Sequence, residues 1–232
     1  MANITNDPQI LATALLGGIL PSLLWLWFWL KEDEKKPEPK GLLAGVFFLG
    51  MISVVIAVPI QQFVRSIFHS YASDIILWAT IEEIVKFLAV VVMIRKSYFD
   101  EPLDWPIYLI TAALGFAALE NAMFLIKPLA LGQSTVSLLT GQLRFLGSTL
   151  LHTVSSGIFG VFLGLAFGST KAKKRLYFFI GLFLAITLHS VFNFFIMGEA
   201  GNEIFRALGF LWISAVVVML LFEKVRRLSG EN

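Results

Sequence analysis

Long apolar stretches constrain this chain more than any other feature. Of its 232 residues, 57% are hydrophobic and only 15% are charged, against about 25% charged in soluble domains. A water-soluble core cannot absorb that much apolar surface at this length, so a bilayer must be the solvent for most of the chain. Crossing a bilayer as a helix takes about 20 mostly apolar residues. The spans predicted on this basis are 9–30, 41–60, 74–94, 106–127, 144–168, 176–197 and 204–222.

The segments between these spans are polar or contain turn-forming residues. They are Lys31–Lys40, Gln61–Ser73, Arg95–Trp105, Pro128–Gly141, Ser169–Arg175 and Gly198–Asn202. The sequence contains no internal repeat and no second domain. We therefore predict an all-α, polytopic transmembrane helical bundle of about seven spans, forming a single domain over residues 1–232. No Lys or Arg precedes the first apolar run, so we expect that run to be a retained helix rather than a cleaved signal.

The basic residues predict how the chain is oriented in the cell membrane. Thirteen of the eighteen Lys and Arg residues flank one side of the predicted spans, three flank the other side, and Lys86 and Arg144 lie within the spans. Because basic residues accumulate in cytoplasmic loops, the N-terminus is predicted outside and the C-terminus in the cytoplasm. The thirteen are Lys31, Lys35, Lys36, Lys40, Arg95, Lys96, Lys171, Lys173, Lys174, Arg175, Lys224, Arg226 and Arg227. The three are Arg65, Lys127 and Arg206.

The remaining composition excludes several classes of site. The chain has no cysteine, which rules out disulfides, thiolate metal sites and a cysteine nucleophile. Its net charge of +2 is small and gives no indication of a nucleic-acid partner.

Ionisable side chains interrupt four of the predicted spans. An ionised group at a helix centre costs roughly 3 kcal/mol to insert, so together these groups approach about 10 kcal/mol. Groups of this kind persist where they pair, protonate, bind an ion or line a wet cavity. The polar residues concerned are Glu82, Glu83, Lys86, Glu120, Asn121, His152, His189 and Asn193.

Their depths indicate one shared layer. At 1.5 Å per residue, Glu82 and Glu83 lie about 12 Å below the outer end of their helix, and Glu120 about 10 Å below its own. His152 and His189 lie about 12 Å and 13 Å below theirs. Four antiparallel helices thus place their polar groups in the outer half of the membrane, so we predict that these five residues line one cavity.

Helical spacing refines this prediction. Glu82 and Lys86 are separated by four residues and are expected to form an ion pair, which would leave Glu83 freer to face the cavity. His189 and Asn193 share a face by the same spacing. Arg144 and His152, with Ser148 between them, form a polar stripe from the outer surface to the layer.

These motifs resemble those of the PrsW-type intramembrane proteases, a family related to the CAAX prenyl endopeptidases and to proteins proposed to process bacteriocins. In chain order the motifs are Glu82-Glu83-x-x-Lys86, Phe116-x-x-x-Glu120, His152 and His189-x-x-x-Asn193. The resemblance covers about residues 74–197, the expected catalytic core. It implies cleavage of membrane-anchored proteins or peptides near the outer face. In the CAAX enzymes the second motif ends in His, so a prenylated substrate is not expected.

Peptide hydrolysis needs an activated water, oxyanion stabilisation and an acid for the leaving amine. Glu82 or Glu83 is the candidate base, and Asn193 could stabilise the oxyanion. Glu120, His152 and His189 could bind a zinc ion and lower the pKa of its water towards about 7. In a metal-free version a Glu is still the base, while the two His and Asn193 polarise the carbonyl. Lys86, Phe116 and Arg144 are assigned supporting roles.

Other interpretations use the same residues. Glu82 and Glu83 could form an interfacial pair neutralised by Lys86, and Glu120, His152 and His189 could hold helices together by hydrogen bonds. At the level of function, an ion- or proton-coupled transporter also keeps ionisable groups in the membrane, and a non-catalytic scaffold is a third alternative. The absence of an inverted repeat argues against transport, and the presence of the carboxylates argues against a scaffold.

Overall fold

The structure, a computed structural model, describes residues 6–31, 36–94, 98–197 and 203–230. Within these ranges every regular element is a helix, as the apolar spans predicted. A π-helical turn, Arg144–Ser148, joins two of the helices into one continuous rod, so the eight α-helices in the described part of the chain make seven rods. The helices are α1 Pro8–Lys31, α2 Lys40–Ile67, α3 Tyr71–Met93, α4 Asp104–Ala130, α5 Ser134–Leu143, α6 Thr149–Leu165, α7 Lys171–Met197 and α8 Ile204–Leu228.

Three of the expected loops are largely helical. α2 continues through Gln61–Ile67, where a loop was predicted, because Gln61 and Gln62 do not interrupt helix formation. The expected loop Pro128–Gly141 contains most of α5, and only the turn at Gly132, whose φ is +66°, separates it from α4. α7 likewise begins at Lys171 rather than near residue 176. Lys35, Arg95, Lys96 and the break Gly198–Asn202 lie outside the described residues.

Within the described ranges, six helical rods are long and apolar enough to cross a membrane by length and composition. α3 is the rod that does not qualify, because it contains Asp74, Glu82, Glu83 and Lys86. The seven-span count and the orientation of the termini therefore stay predictions. The exposure pattern nonetheless suits a lipid solvent: Val92 on the surface of α3 is 77% exposed, whereas Lys86 on the same helix is completely buried.

Successive rods run in alternating directions. Lys36, in the α1–α2 connection, pairs with Asp100 and Glu101 in the α3–α4 connection, so both connections lie at one end of the bundle. Arg65 near the end of α2 pairs with Asp74 at the start of α3, and the Tyr71 hydroxyl contacts the Phe194 carbonyl near the end of α7. These contacts define the opposite end.

α4 and α6 form the centre of the bundle. α4 packs against α1, α2, α3, α5 and α6, and α6 also packs against α7 and α8. Close approach depends on glycine: a Cβ at Gly160 would lie 2.4 Å from the Pro106 backbone, and one at Gly164 would lie 2.4 Å from the Pro102 carbonyl. α3, α4, α6 and α7 thereby face one another around a polar interior.

Candidate active site

Glu83 and Lys86 form the floor of this polar interior. Lys86 Nζ donates to Glu83 Oε1 at 2.8 Å, and Ser155 and Ser156 on α6 donate to the two Glu83 oxygens at 3.0 and 2.7 Å. The main ion pair of Lys86 is therefore with Glu83, since Glu82 Oε2 lies 4.0 Å from the ammonium. The expected ion pair of Lys86 with Glu82 is thus present, but it is the longer of the two. The expectation that Glu83 faces the cavity is wrong, because the two serines and Lys86 surround Glu83.

Glu82 has a different environment. Its Oε1 accepts a hydrogen bond of 2.9 Å from Gln61 Nε2 on α2, whereas its Oε2 is buried and has no hydrogen-bond partner among the described residues. That oxygen lies 3.5 Å from His189 Nε2 and 3.9 Å from His152 Nδ1. Glu82 therefore presents one unsatisfied carboxylate oxygen to two imidazole rings.

The two histidines stand edge to face, with ring centroids 5.1 Å apart and planes 81° apart. His189 Nδ1 lies 2.9 Å from Glu83 Oε1, so the Nδ1–H donates to Glu83 and the Nε2 atom faces Glu82. His152 Nδ1 lies 2.8 Å from Lys86 Nζ and, because a protonated lysine can only donate, accepts that bond. The proton of a neutral His152 is then on Nε2, 3.2 Å from Glu120 Oε2.

Glu120 is anchored by Arg144. The guanidinium forms an ion pair with Glu120 Oε2, donates to Asn121 Oδ1 at 2.5 Å and to Ser148 Oγ at 2.9 Å, and stacks 3.9 Å above the Phe124 ring. Arg144 begins the π-helical turn, an irregularity that is common at functional sites.

Phe116 lies under both cationic and imidazole groups. Its ring is 4.7 Å from Lys86 Nζ and its centroid is 5.2 Å from that of His152. This aromatic surface completes the burial of Lys86.

A cavity of about 620 Å³ opens above these residues. Glu82, Glu120, His152 and His189 line it together, as predicted, and Glu83 does not. Arg144 and Asn193 also line it. Gln61, Ser148 and Glu203 add further polar groups, and apolar side chains form most of the remaining wall, including Val54, Val58, Trp78, Met123, Phe192 and Leu208.

Sequence reasoning missed three polar partners. Gln61 lies in a segment predicted to be a loop, and Ser155 and Ser156 were read as part of an ordinary span. The available signal was a serine pair one turn beyond His152 in an otherwise apolar helix.

The arrangement can also hold a metal ion. Glu82, His152 and His189 each offer a donor atom, and these atoms lie within 4.8 Å of one another. Imidazole and carboxylate are zinc ligands, and the unpartnered Glu82 Oε2 is the buried atom that a cation would satisfy. This set differs from the predicted one, because Glu82 stands in place of Glu120. Nδ1, the His152 nitrogen that faces Glu82, would exchange its bond to Lys86 for the cation. The residues present therefore fit a metal centre.

Comparison with known proteins identifies the family of the chain. Residues 38–222 match the family model described as PrsW family intramembrane metalloprotease. The chain belongs to the PrsW family. It is therefore a multi-pass membrane protein and a hydrolase acting on peptide bonds.

Relatives named Protease PrsW align over most of their length. The protein of Geobacillus kaustophilus is 30% identical over 190 residues, which are 79% of each chain. The protein of Clostridioides difficile is 29% identical over 193 residues, again 79% of each chain. The protein of Bacillus subtilis is 29% identical over 204 residues, covering 84% of this chain and 87% of the relative. No solved structure matches the chain significantly.

Proposed function

We propose that this PrsW-family protein is an intramembrane endopeptidase that hydrolyses peptide bonds of membrane-anchored proteins, with Glu82 as its reacting carboxylate. The observation that carries the proposal is the unpartnered Oε2 of Glu82, which faces His189 and His152 on the floor of a cavity with apolar walls.

Glu82 is the residue best placed to accept a proton from water. Both Glu83 oxygens already accept hydrogen bonds, so a water in the cavity has only the Glu82 Oε2 atom of this pair to bind. A general base must lie within hydrogen-bond reach of the proton that it removes. Removal of the proton would produce the nucleophile, and the protonated carboxyl would then donate to the leaving amine.

Glu83 would act on His189 rather than on substrate. By accepting the Nδ1–H bond it fixes the ring orientation and leaves Nε2 directed at the cavity. A buried carboxylate that orients a histidine in this way is a common feature of hydrolytic and metal sites.

Asn193 would stabilise the tetrahedral oxyanion. It lies one helical turn from His189 on α7 and lines the same cavity, and its side-chain amide is a donor of the type found in oxyanion holes. Glu120, held by Arg144, would accept the Nε2–H of His152 and keep that ring in place.

Glu82, His152 and His189 are the residues that would hold a metal ion, for which their donor types favour zinc. When bound there, zinc would supply a Lewis acid that polarises the substrate carbonyl and acidifies water. Glu82 Oε2 is required in this arrangement as well, so the importance of Glu82 does not depend on metal content.

The cavity indicates the kind of substrate segment. Its wall is mostly apolar and favours apolar side chains, while polar residues, among them Glu82, the two histidines and Arg144, are available to the substrate backbone. A segment at the outer end of a substrate's membrane anchor would meet both environments, with apolar side chains against the wall and its backbone at the floor.

The test is cleavage in a defined membrane. The purified protein would be reconstituted in lipid vesicles with a panel of single-span reporter proteins that differ in sequence at the outer end of the span. Mass spectrometry should find cleavage within that segment by the unchanged protein, and Glu82→Gln should lower the rate by at least about a hundredfold. Absence of cleavage across the panel, or equal cleavage by Glu82→Gln, contradicts the proposal.

A further inference from the structure

Gln61 is the residue that holds the second oxygen of Glu82. It lies two turns before the end of α2, lines the cavity and is half-buried. Its Nε2 donates to Glu82 Oε1 at 2.9 Å. Among the described residues this is the hydrogen bond that Glu82 makes, since its Oε2 has none.

The surrounding cations do not take over this function. Lys86 Nζ lies 4.0 Å from Glu82 Oε2, beyond hydrogen-bond distance, and is already bonded to Glu83 and His152 at 2.8 Å each. Arg144 is bonded to Glu120, Asn121 and Ser148. Among the described residues, Gln61 is therefore the hydrogen-bond donor that orients the Glu82 carboxylate.

A carboxylate whose two oxygens have unequal partners has a defined direction. Because Gln61 engages Oε1, the other oxygen is turned towards His189 Nε2 at 3.5 Å and towards His152 Nδ1 at 3.9 Å. We propose that Gln61 is a positioning residue for peptide hydrolysis, which fixes the Glu82 carboxylate so that Oε2 meets the reacting water. This inference rests on the proposed function and adds to it a residue outside the expected catalytic core 74–197.

Gln61→Met removes the donor with little change in side-chain length, and the neighbouring Gln62 offers a matched control. Gln62 is exposed on the same turn of α2 and does not line the cavity. Rates would be measured on a cleaved reporter, per molecule of folded protein, with the midpoint of thermal unfolding recorded for each variant.

Gln61→Met should lower kcat about tenfold to a hundredfold, because a misdirected catalytic group loses reaction geometry. The KM and the unfolding midpoint of Gln61→Met should equal those of the unchanged protein. Gln62→Met should equal the unchanged protein in kcat, KM and unfolding midpoint. If Gln61→Met does not fold, Gln61→Asn, which keeps the amide but shortens its reach, should show the same selective loss of kcat.

A second background separates positioning from direct contact with substrate. Glu82→Asp withdraws the carboxylate from Gln61, so adding Gln61→Met to it should cause little further loss of kcat. Two groups that act through one another give such non-additive effects. An equal loss in both backgrounds, or a raised KM with unchanged kcat, overturns the inference.

The outcomes also separate this inference from the proposed function. Cleavage by the unchanged protein, Gln62→Met and Gln61→Met at one common kcat overturns the role of Gln61 and leaves the endopeptidase intact. Absence of cleavage by the unchanged protein and by Gln62→Met overturns both.

Discussion

Glu82 and Glu83 are chemically identical neighbours that occupy opposite kinds of environment. Consecutive residues on a helix point about 100° apart, so one carboxylate reaches the cavity and the other reaches Lys86, Ser155 and Ser156. Substitution of Glu82 should therefore lower activity, whereas substitution of Glu83 should lower stability.

Glu83→Gln should destabilise the protein. It leaves the fully buried Lys86 without its closest carboxylate, and breaking a buried pair by removing one partner costs about 3–5 kcal/mol. Thermal unfolding in detergent should show a clearly lower midpoint for Glu83→Gln than for Glu82→Gln, whose replaced Oε2 has no hydrogen bond to lose. Equal midpoints for the two variants would contradict the assignment of Glu83 to the structural floor.

Metal content should follow the geometry of the donor atoms. Glu82→Ala, His152→Ala and His189→Ala should each lose the metal found by elemental analysis of the purified protein, since each removes one of three ligands. Glu120→Gln should retain it, because Glu120 contacts Arg144 and His152 but lies outside that group.

Metal loss from Glu120→Gln and from both histidine variants, with metal retained by Glu82→Ala, would favour the ligand set expected from the sequence. Stoichiometrically metal-free protein that still cleaves its reporter would favour the version in which the carboxylate acts without an ion.

For the individual residues, the sequence identified the chemical groups of the site but not which carboxylate faces the cavity. The residue types and their common depth were enough to predict one cavity, and four of the five residues expected there, Glu82, Glu120, His152 and His189, line it, whereas Glu83 does not. Choosing between Glu82 and Glu83 requires the rotation of α3 about its axis, which depends on the packing of α4, α6 and α7. That packing involves Ser155 and Ser156, and the sequence alone does not show that Glu83 is their partner.

Among the elements, α2 and α4 make an unusually close contact. A Cβ at Gly50 would lie 2.1 Å from the Ala112 carbonyl oxygen, and one at Gly115 would lie 2.0 Å from the Phe47 carbonyl oxygen. Each helix thus receives the other's backbone at a glycine, as is typical of helices that associate in membranes. The contact also fixes α2, which carries Gln61.

Gly115→Ala should push α2 away from α4. Because the obstructing atoms are backbone rather than flexible side chain, overpacking should cost about 1–3 kcal/mol and lower the unfolding midpoint. Gly209→Ala is the matched control: Gly209 lies inside α8 with nothing within 4 Å of a Cβ. There the better helix propensity of alanine should stabilise by up to about 1 kcal/mol. A neutral Gly115→Ala would show that α2 and α4 can separate freely.

The helix boundaries also show what a hydropathy-based prediction of spans misses. Hydropathy finds apolar runs, so it ended the second segment at Ile60, although α2 extends to Ile67. It likewise missed that α5, the π-helical turn and α6 form one rod. Polar residues end an apolar run without ending a helix, and in this chain the polar continuation of α2 is the part that reaches the site.

For the whole molecule, the basic residues and the alternating rods predict which loops lie on which side. Asn6→Cys and His69→Cys should react with an impermeant thiol reagent from outside intact cells, and Thr170→Cys only after the cytoplasm is opened. The chain has no cysteine of its own, so labelling needs no background correction. Reaction of Thr170→Cys from outside would invert the proposed orientation, and reaction of Asn6→Cys and His69→Cys from opposite sides would show that α1 and α2 do not both cross the membrane.

The all-helical fold class and the alternating directions of the rods could be predicted from the sequence. Which helix packs against which could not. α1 packs chiefly against α4 rather than against α2, which follows it in sequence. In a lipid solvent, helix contacts depend on small residues such as Gly18, where a Cβ would meet the Ala118 carbonyl at 2.2 Å, more than on any apolar stripe.

The charged character of α3 has a consequence for how the protein is made. A helix with Asp74, Glu82, Glu83 and Lys86 is a poor candidate to leave the insertion machinery by itself, since each ionised group near its centre costs roughly 3 kcal/mol. Its partners Ser155, His152 and His189 are synthesised later, on α6 and α7. We therefore expect α3 to settle at its final depth only after α7 has emerged, so that a nascent or truncated chain has no assembled site and cannot cleave its neighbours in the membrane.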